Sequence, residues 1–211
     1  MLQRFKMFMI AMVLCVSCAI AAEQLTTPQE SLGGMRPGIL SVDQLIGKLG
    51  KPAKADRDGL LGLYGGAAKS DVYGWFMVQN PNYTVPDLVA ETAKGSKRVD
   101  LLMAIGYDGL KTERGVACFQ NESAITAAYG KPDFAFAVPM NGFVLRELYY
   151  PRLGLSFDVA PTGPSPDENN VIAIYVTYPE FLQRAIEMRQ SFIRQGIGKD
   201  VTVEYAGGRS T

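Results

Sequence analysis

The sequence predicts an α+β fold: a tandem repeat of a short helix packed on an antiparallel β-sheet, followed by one longer C-terminal helix. Three observations lead to it. Ser41 to Asp56 and the stretch opening at Asn121 share a pattern. At a constant offset Gly50-Lys51-Pro52 falls on Gly130-Lys131-Pro132, Leu45 on Ile125, Leu49 on Tyr129 and Ala55 on Ala135. Each copy is followed by runs in which apolar residues recur at period two, the spacing of a strand. From Pro179 the spacing becomes helical, through Phe181, Leu182, Ala185, Ile186, Met188, Phe192 and Ile193.

Composition narrows the function before any motif is read. With 211 residues, 47% hydrophobic and 20% charged, the chain is long enough for one domain or two small ones. Formal net charge is zero, and no long run of Lys or Arg offers a phosphate-tracking surface, so nucleic acid is not expected as a partner. The absence of His removes Ser/His/Asp and Cys/His nucleophile pairs and every His-ligated metal site. Cys15 and Cys18 lie in the N-terminal apolar run and only Cys118 lies in the body, so no disulfide framework is expected.

Residues 1–21 read as a signal peptide. Arg4 and Lys6 precede the apolar run Met7 to Ala22, and Ala19-Ile20-Ala21 carries the small residues of a cleavage site. The run is shorter than the roughly 20 residues of a spanning helix. Removal takes Arg4 and Lys6 from the 21 basic residues, leaving 19 against 21 acidic ones, a formal charge of −2. A second reading stands beside it: Cys15-Val16-Ser17-Cys18 resembles a bacterial lipobox, with lipidation at Cys18, although Cys15 stands where Leu is usual. The membrane is a partner only in that case. Residues 22–37 follow as a polar tether.

The first repeat spans residues 38–119. Ser41 is the expected N-cap of its helix, with Gln44 at capping-box spacing, and Val42, Leu45, Ile46 and Leu49 form one apolar stripe. Gly50 suits the helix end and Pro52 biases Lys51 out of it. Asp56-Arg57-Asp58-Gly59 lacks the later ligands of a calcium loop and reads as a turn. Gly62 to Ser70 has Ala68 where a phosphate loop needs Gly, and reads as a Gly-rich connection. Val72 to Gln79 alternates, with Tyr73, Trp75 and Met77 on one face and Val72, Phe76 and Val78 on the other. Thr84 to Gly95 is open between a short helix and an irregular crossover. Val99 to Tyr107 alternates strictly, and Asp108-Gly109 predicts a hairpin returning through Leu110 to Phe119. Cys118, with no His to activate it, reads as a small buried side chain. Asn82-Tyr83-Thr84 and Asn121-Glu122-Ser123 match the glycosylation pattern, which carries no meaning in a bacterial export context.

The second repeat spans residues 120–178. Asn121 caps a helix through Tyr129 with Ile125, Ala128 and Tyr129 on its apolar side. Phe143 to Tyr150 and Leu153 to Val159 predict a hairpin across Pro151-Arg152, with Leu153, Leu155, Phe157 and Val159 inward and Gly154, Ser156 and Asp158 outward. Gly154 to Asp158 lacks the last Gly of a nucleophile elbow and reads as a strand. Thr162 to Asn170 is a loop whose Asp167 and Glu168 read as solvated carboxylates, and Val171 to Tyr178 is a further strand. Residues 179–196 form the amphipathic helix, docked on its own sheet, and residues 197–211 a flexible tail.

The two Gly-Lys-Pro helices and the strands behind them resemble tandem modules of the SmpA/OmlA outer-membrane lipoprotein and β-lactamase inhibitory protein kind. Leu32-Gly33-Gly34-Met35-Arg36-Pro37-Gly38 looks like the Gly-Met segment of such modules, and Tyr107-Asp108-Gly109 like their Asp-Gly hairpin. The resemblance covers Leu32 to Tyr178, and the second copy lacks both of those features. It implies an exported, noncatalytic module that binds other proteins, in the periplasm or secreted, or on the outer membrane if lipidated.

A protein-binding envelope module is thus the first functional expectation. The alternatives are an inhibitor of a secreted hydrolase, and a small-ligand carrier or His-independent enzyme. No catalytic, cofactor or metal constellation is expected. Candidate binding residues follow from the sheet: if helices cover one face, the other is open. Tyr73, Trp75 and Met77 in the first repeat, with Glu147 and Tyr149 beside Leu145 in the second, would then form an aromatic working surface. The competing reading puts Trp75 in the core.

Overall fold

The computed structural model describes residues 26–56, 70–78, 85–140, 142–161, 169–196 and 201–206. The signal segment, most of the Asp56 and Gly62 connections, the Asn82 glycosylation pattern and the Asp167-Glu168 loop lie outside these. The fold is α+β. Nine strands form one antiparallel sheet, and three helices accompany it among the described residues. The strands are β1 (Lys54–Asp56), β2 (Ser70–Trp75), β3 (Leu88–Ala93), β4 (Leu101–Ile105), β5 (Phe134–Met140), β6 (Phe143–Tyr150), β7 (Leu155–Pro161), β8 (Asn169–Thr177) and β9 (Thr202–Ala206). The helices are α1 (Val42–Leu49), α2 (Glu122–Tyr129) and α3 (Pro179–Arg194). Sheet order is β1-β2-β3-β4-β8-β7-β6-β5-β9.

Local chemistry fixes the helix ends. The Ser41 hydroxyl accepts from the Gln44 amide and the Gln44 side chain accepts from the Ser41 amide, a complete capping box. Asn121 caps α2 by accepting from the Ser123 amide, and Gly50 and Gly130 close the two helices at positive φ. Both helices are too short to hold themselves in water, so each depends on the face it buries. Leu45 and Ile125 are fully buried against that face, with Leu88, Leu102, Leu148, Leu155, Phe157, Ile174 and Val176 rising from the sheet. This continuous core lies on what we call the inner face.

The outer face is covered as well. Val72, Val89, Leu101 and Met103 form one buried group there, and Val138, Leu145 and Ala160 another. The helix α3 lies on this side, since its Arg189 meets Glu147, whose neighbours Leu148 and Tyr150 point into the inner core. The expectation of an open second face is therefore corrected.

Four sequence expectations change. The described part of the stretch 84–95, from residue 85, is neither helix nor crossover: Leu88, Val89 and Ala90 are buried on both faces of β3, between β2 and β4. The Asp108-Gly109 hairpin does not form, because β4 takes β8 as its second neighbour and residues 110–119 make only isolated bridges while burying Leu110, Val116 and Cys118. The tether is part of the fold from Pro28, with Leu32 and Met35 in the inner core and Glu30 accepting from the Tyr129 hydroxyl at 2.9 Å. The tail supplies β9, paired with β5.

The hairpin at Pro151-Arg152 does form, through a short 3-10 turn and Gly154. That glycine has φ +69, and an added Cβ would meet the Thr177 carbonyl oxygen at 2.0 Å. No described helix is long and apolar enough to cross a membrane.

Candidate functional site

The structure separates the candidate binding residues. Tyr73, Trp75 and Met77 share a side of β2 and its extension, as the alternation predicts, but that side is the inner face beneath α1. Trp75 is 3% exposed, and its indole N–H donates to the Gly50 carbonyl at 2.9 Å, tying the strand to the end of α1. Trp75 therefore fills the core, which corrects the reading of it as the centre of an open surface. Tyr73 and Met77 are half-buried around it.

Glu147 and Tyr149 lie on the outer face, in a different environment. Glu147 sits opposite Asp158 across β6 and β7, and Ser156 opposite both Tyr149 and Tyr175. Arg189 reaches in from α3 and donates to Glu147 at 2.5 Å, Tyr149 donates to Glu147 at 3.2 Å, and Tyr175 donates to Asp158 at 2.6 Å. Asp158 and Ser156, expected to face solvent, are instead on the side α3 occupies. Burial raises the Asp158 carboxyl to about 7, the Glu147 charge adds to the rise, and the Tyr175 hydrogen bond and Arg189 oppose it. Burial likewise pushes the Tyr149 and Tyr175 phenols well up. Burial opposes the charge on Arg189, and the facing carboxylates and phenols more than offset that. One part of this cluster was legible beforehand: Leu182, Ile186 and Arg189 share one helical stripe, so an arginine stands at a core position.

A further feature escaped the sequence reading. Phe119 has φ +66, the only non-glycine residue with positive φ among those described, and is 56% exposed. Its backbone is pinned: its N–H donates to the Val171 carbonyl at 2.7 Å, and the Val171 N–H donates to the Gln120 carbonyl at 2.9 Å. Cys118 anchors the turn from within, its thiol buried beside the Ala104 and Ile172 carbonyls, and burial pushes that thiol up. It is the small buried side chain the sequence suggests. A left-handed backbone at an aromatic residue costs on the order of 1 kcal/mol.

Register places other exposed apolar residues at the same end of the sheet. Trp75 pairs with Leu88, Ile105 with Ala173, Val159 with Val171, and Met140 with Phe143. The β2–β3 connection, the exit of β4, the start of β8 and the β5–β6 hairpin therefore share one rim. Val78 at 44%, Val85 at 42% and Val144 at 45% exposure stand on it with Phe119. The Asp87 carboxylate holds the β2 exit in place by accepting from the Met77 and Val78 amides at 2.6 and 3.0 Å.

No group of three or more acidic or Cys side chains able to hold a metal ion occurs among the described residues. No protein-family model, curated protein or solved structure matches the chain.

Proposed function

We propose that the protein is an exported, noncatalytic module that binds another protein, built as two copies of one unit. Each copy would be a helix followed by four antiparallel strands, α1 with β1 to β4 and α2 with β5 to β8. The element order and the central β4–β8 pairing support this reading, as does the shared Gly-Lys-Pro end of α1 and α2. The observation that carries the binding role is Phe119. The fold pins the left-handed backbone of Phe119 through Val171 and leaves more than half of its ring facing outward, where it can meet a partner. Exposed, rigid aromatics are the typical anchors of protein interfaces.

The working surface is thus assigned to the sheet rim rather than to Trp75. Export follows from the N-terminal segment, and intact-mass analysis of the envelope form distinguishes cleavage after Ala21 or Ala22 from a lipid adduct on Cys18. The binding role is tested by capture from envelope extract with the wild type and with Phe119→Asn, a residue that tolerates the left-handed backbone. Loss of an anchor typically weakens binding by about 2 kcal/mol or more, roughly thirtyfold. A specific partner held by the wild type and lost by the variant is expected; a partner retained equally by both overturns the assignment. If the captured partner is a hydrolase whose activity falls on binding, the inhibitor reading replaces the general one.

A further inference from the structure

We propose that Arg189, Glu147, Tyr149, Asp158 and Tyr175 form a proton-operated latch seating α3 on the outer face of the sheet, tightest when Asp158 is protonated and weaker when it is ionised. The geometry supplies the reason. Two carboxylates face each other across β6 and β7, while one guanidinium arrives from α3. With a proton on Asp158, the Glu147 and Arg189 charges cancel and every carboxyl has a partner. With both ionised, the cluster holds one uncompensated negative charge in a partly buried site, which is costly. The titratable groups facing Asp158 are Glu147 and Tyr149 from β6, Tyr175 from β8 and Arg189 from α3. The Arg189 Nε has no hydrogen-bond partner in the seated arrangement.

The sign follows from linkage. Seated, Asp158 holds its proton up to about pH 7; undocked and solvated, it releases it near the ordinary carboxylate value of about 4. Between those values the seated form binds more protons, so seating weakens as pH rises and levels off above about 7. The Arg189 guanidinium contacts Glu147 and not Asp158, whose own partner is the Tyr175 hydroxyl. The latch does not depend on the proposed binding role, and it makes the coverage of the outer face a function of compartment pH.

Amide hydrogen exchange on the full chain, corrected for intrinsic exchange rates, tests it. Between pH 5.5 and 8 the protection of α3 should fall roughly tenfold or more, while that of α1 and α2 changes far less. Asp158→Asn, which still accepts from Tyr175, should abolish the pH response of α3. Tyr175→Phe removes a hydrogen bond that favours the ionised form and should move the midpoint to higher pH. Equal α3 protection at both pH values in the wild type, or a pH response of wild-type size in Asp158→Asn, overturns the proposal. If Asp158→Asn does not fold, an unmoved midpoint in Tyr175→Phe does the same.

Discussion

Trp75 and Phe119 show what a sequence can and cannot reveal about single residues. Alternation along residues 72–78 correctly grouped Trp75 with Tyr73 and Met77, because side chains on a strand change face at every step. It could not say which face α1 would cover, since both sides of β2 are apolar. The indole decides this, because its N–H needs a partner once buried and finds the Gly50 carbonyl exposed at the end of α1. Trp75 emission should accordingly be blue-shifted and resistant to iodide. Trp75→Phe loses that hydrogen bond and leaves a small void, and should cost about 2 kcal/mol in urea unfolding. A red, quenchable emission would contradict the packing. Phe119 left no comparable signal: a left-handed backbone is set by the β8 contact at Val171, far along the chain, and nothing local announces it.

At the scale of elements, legibility followed the strength of local signals. The capping box at Ser41, the Asn121 cap, the turn at Pro151 and Pro179 at the start of α3 were all read correctly, because each is decided within a few residues. The errors fell where distant partners decide. In β3, Leu88 to Ala90 is apolar on consecutive positions because both faces are buried, which erases the period-two signature. Residues 110–119 alternate enough to suggest a return strand, yet β4 already has β3 and β8 on its two edges. The tail has little core pattern and becomes β9 because β5 offers an unpaired edge. Removing residues 201–211 would uncover that edge along Phe134 to Ala137, together with the apolar group to which Val201 contributes. Such edges template pairing between chains. The truncated protein should therefore self-associate, seen as a rise in mass by light scattering over the micromolar range. A strictly monomeric truncation would mean that β9 contributes little to the edge.

For the whole molecule, the decisive contact is the seam between β4 and β8. Leu101 to Ile105 pairs with Thr177 to Ala173, the Thr177 hydroxyl donates to the Asp100 carbonyl at 2.8 Å, and the inner core runs without a break from Trp75 under α1 to Phe157 under α2. Separating the halves would expose two sheet edges and cut through that core, which is a larger penalty than either short helix could offset. The N-terminal segment adds a second tie across the division, since Leu32 and Met35 pack in the shared core while the Thr26 amide donates to Glu180 on α3. The two ends of the sheet are therefore not independent folding units. Urea unfolding should be a single cooperative transition in which Trp75 emission, reporting the first half, coincides with far-UV circular dichroism, reporting both. Two resolved midpoints, with the emission change displaced from the dichroism change, would show that the seam couples the halves weakly and that each half is a folding unit of its own.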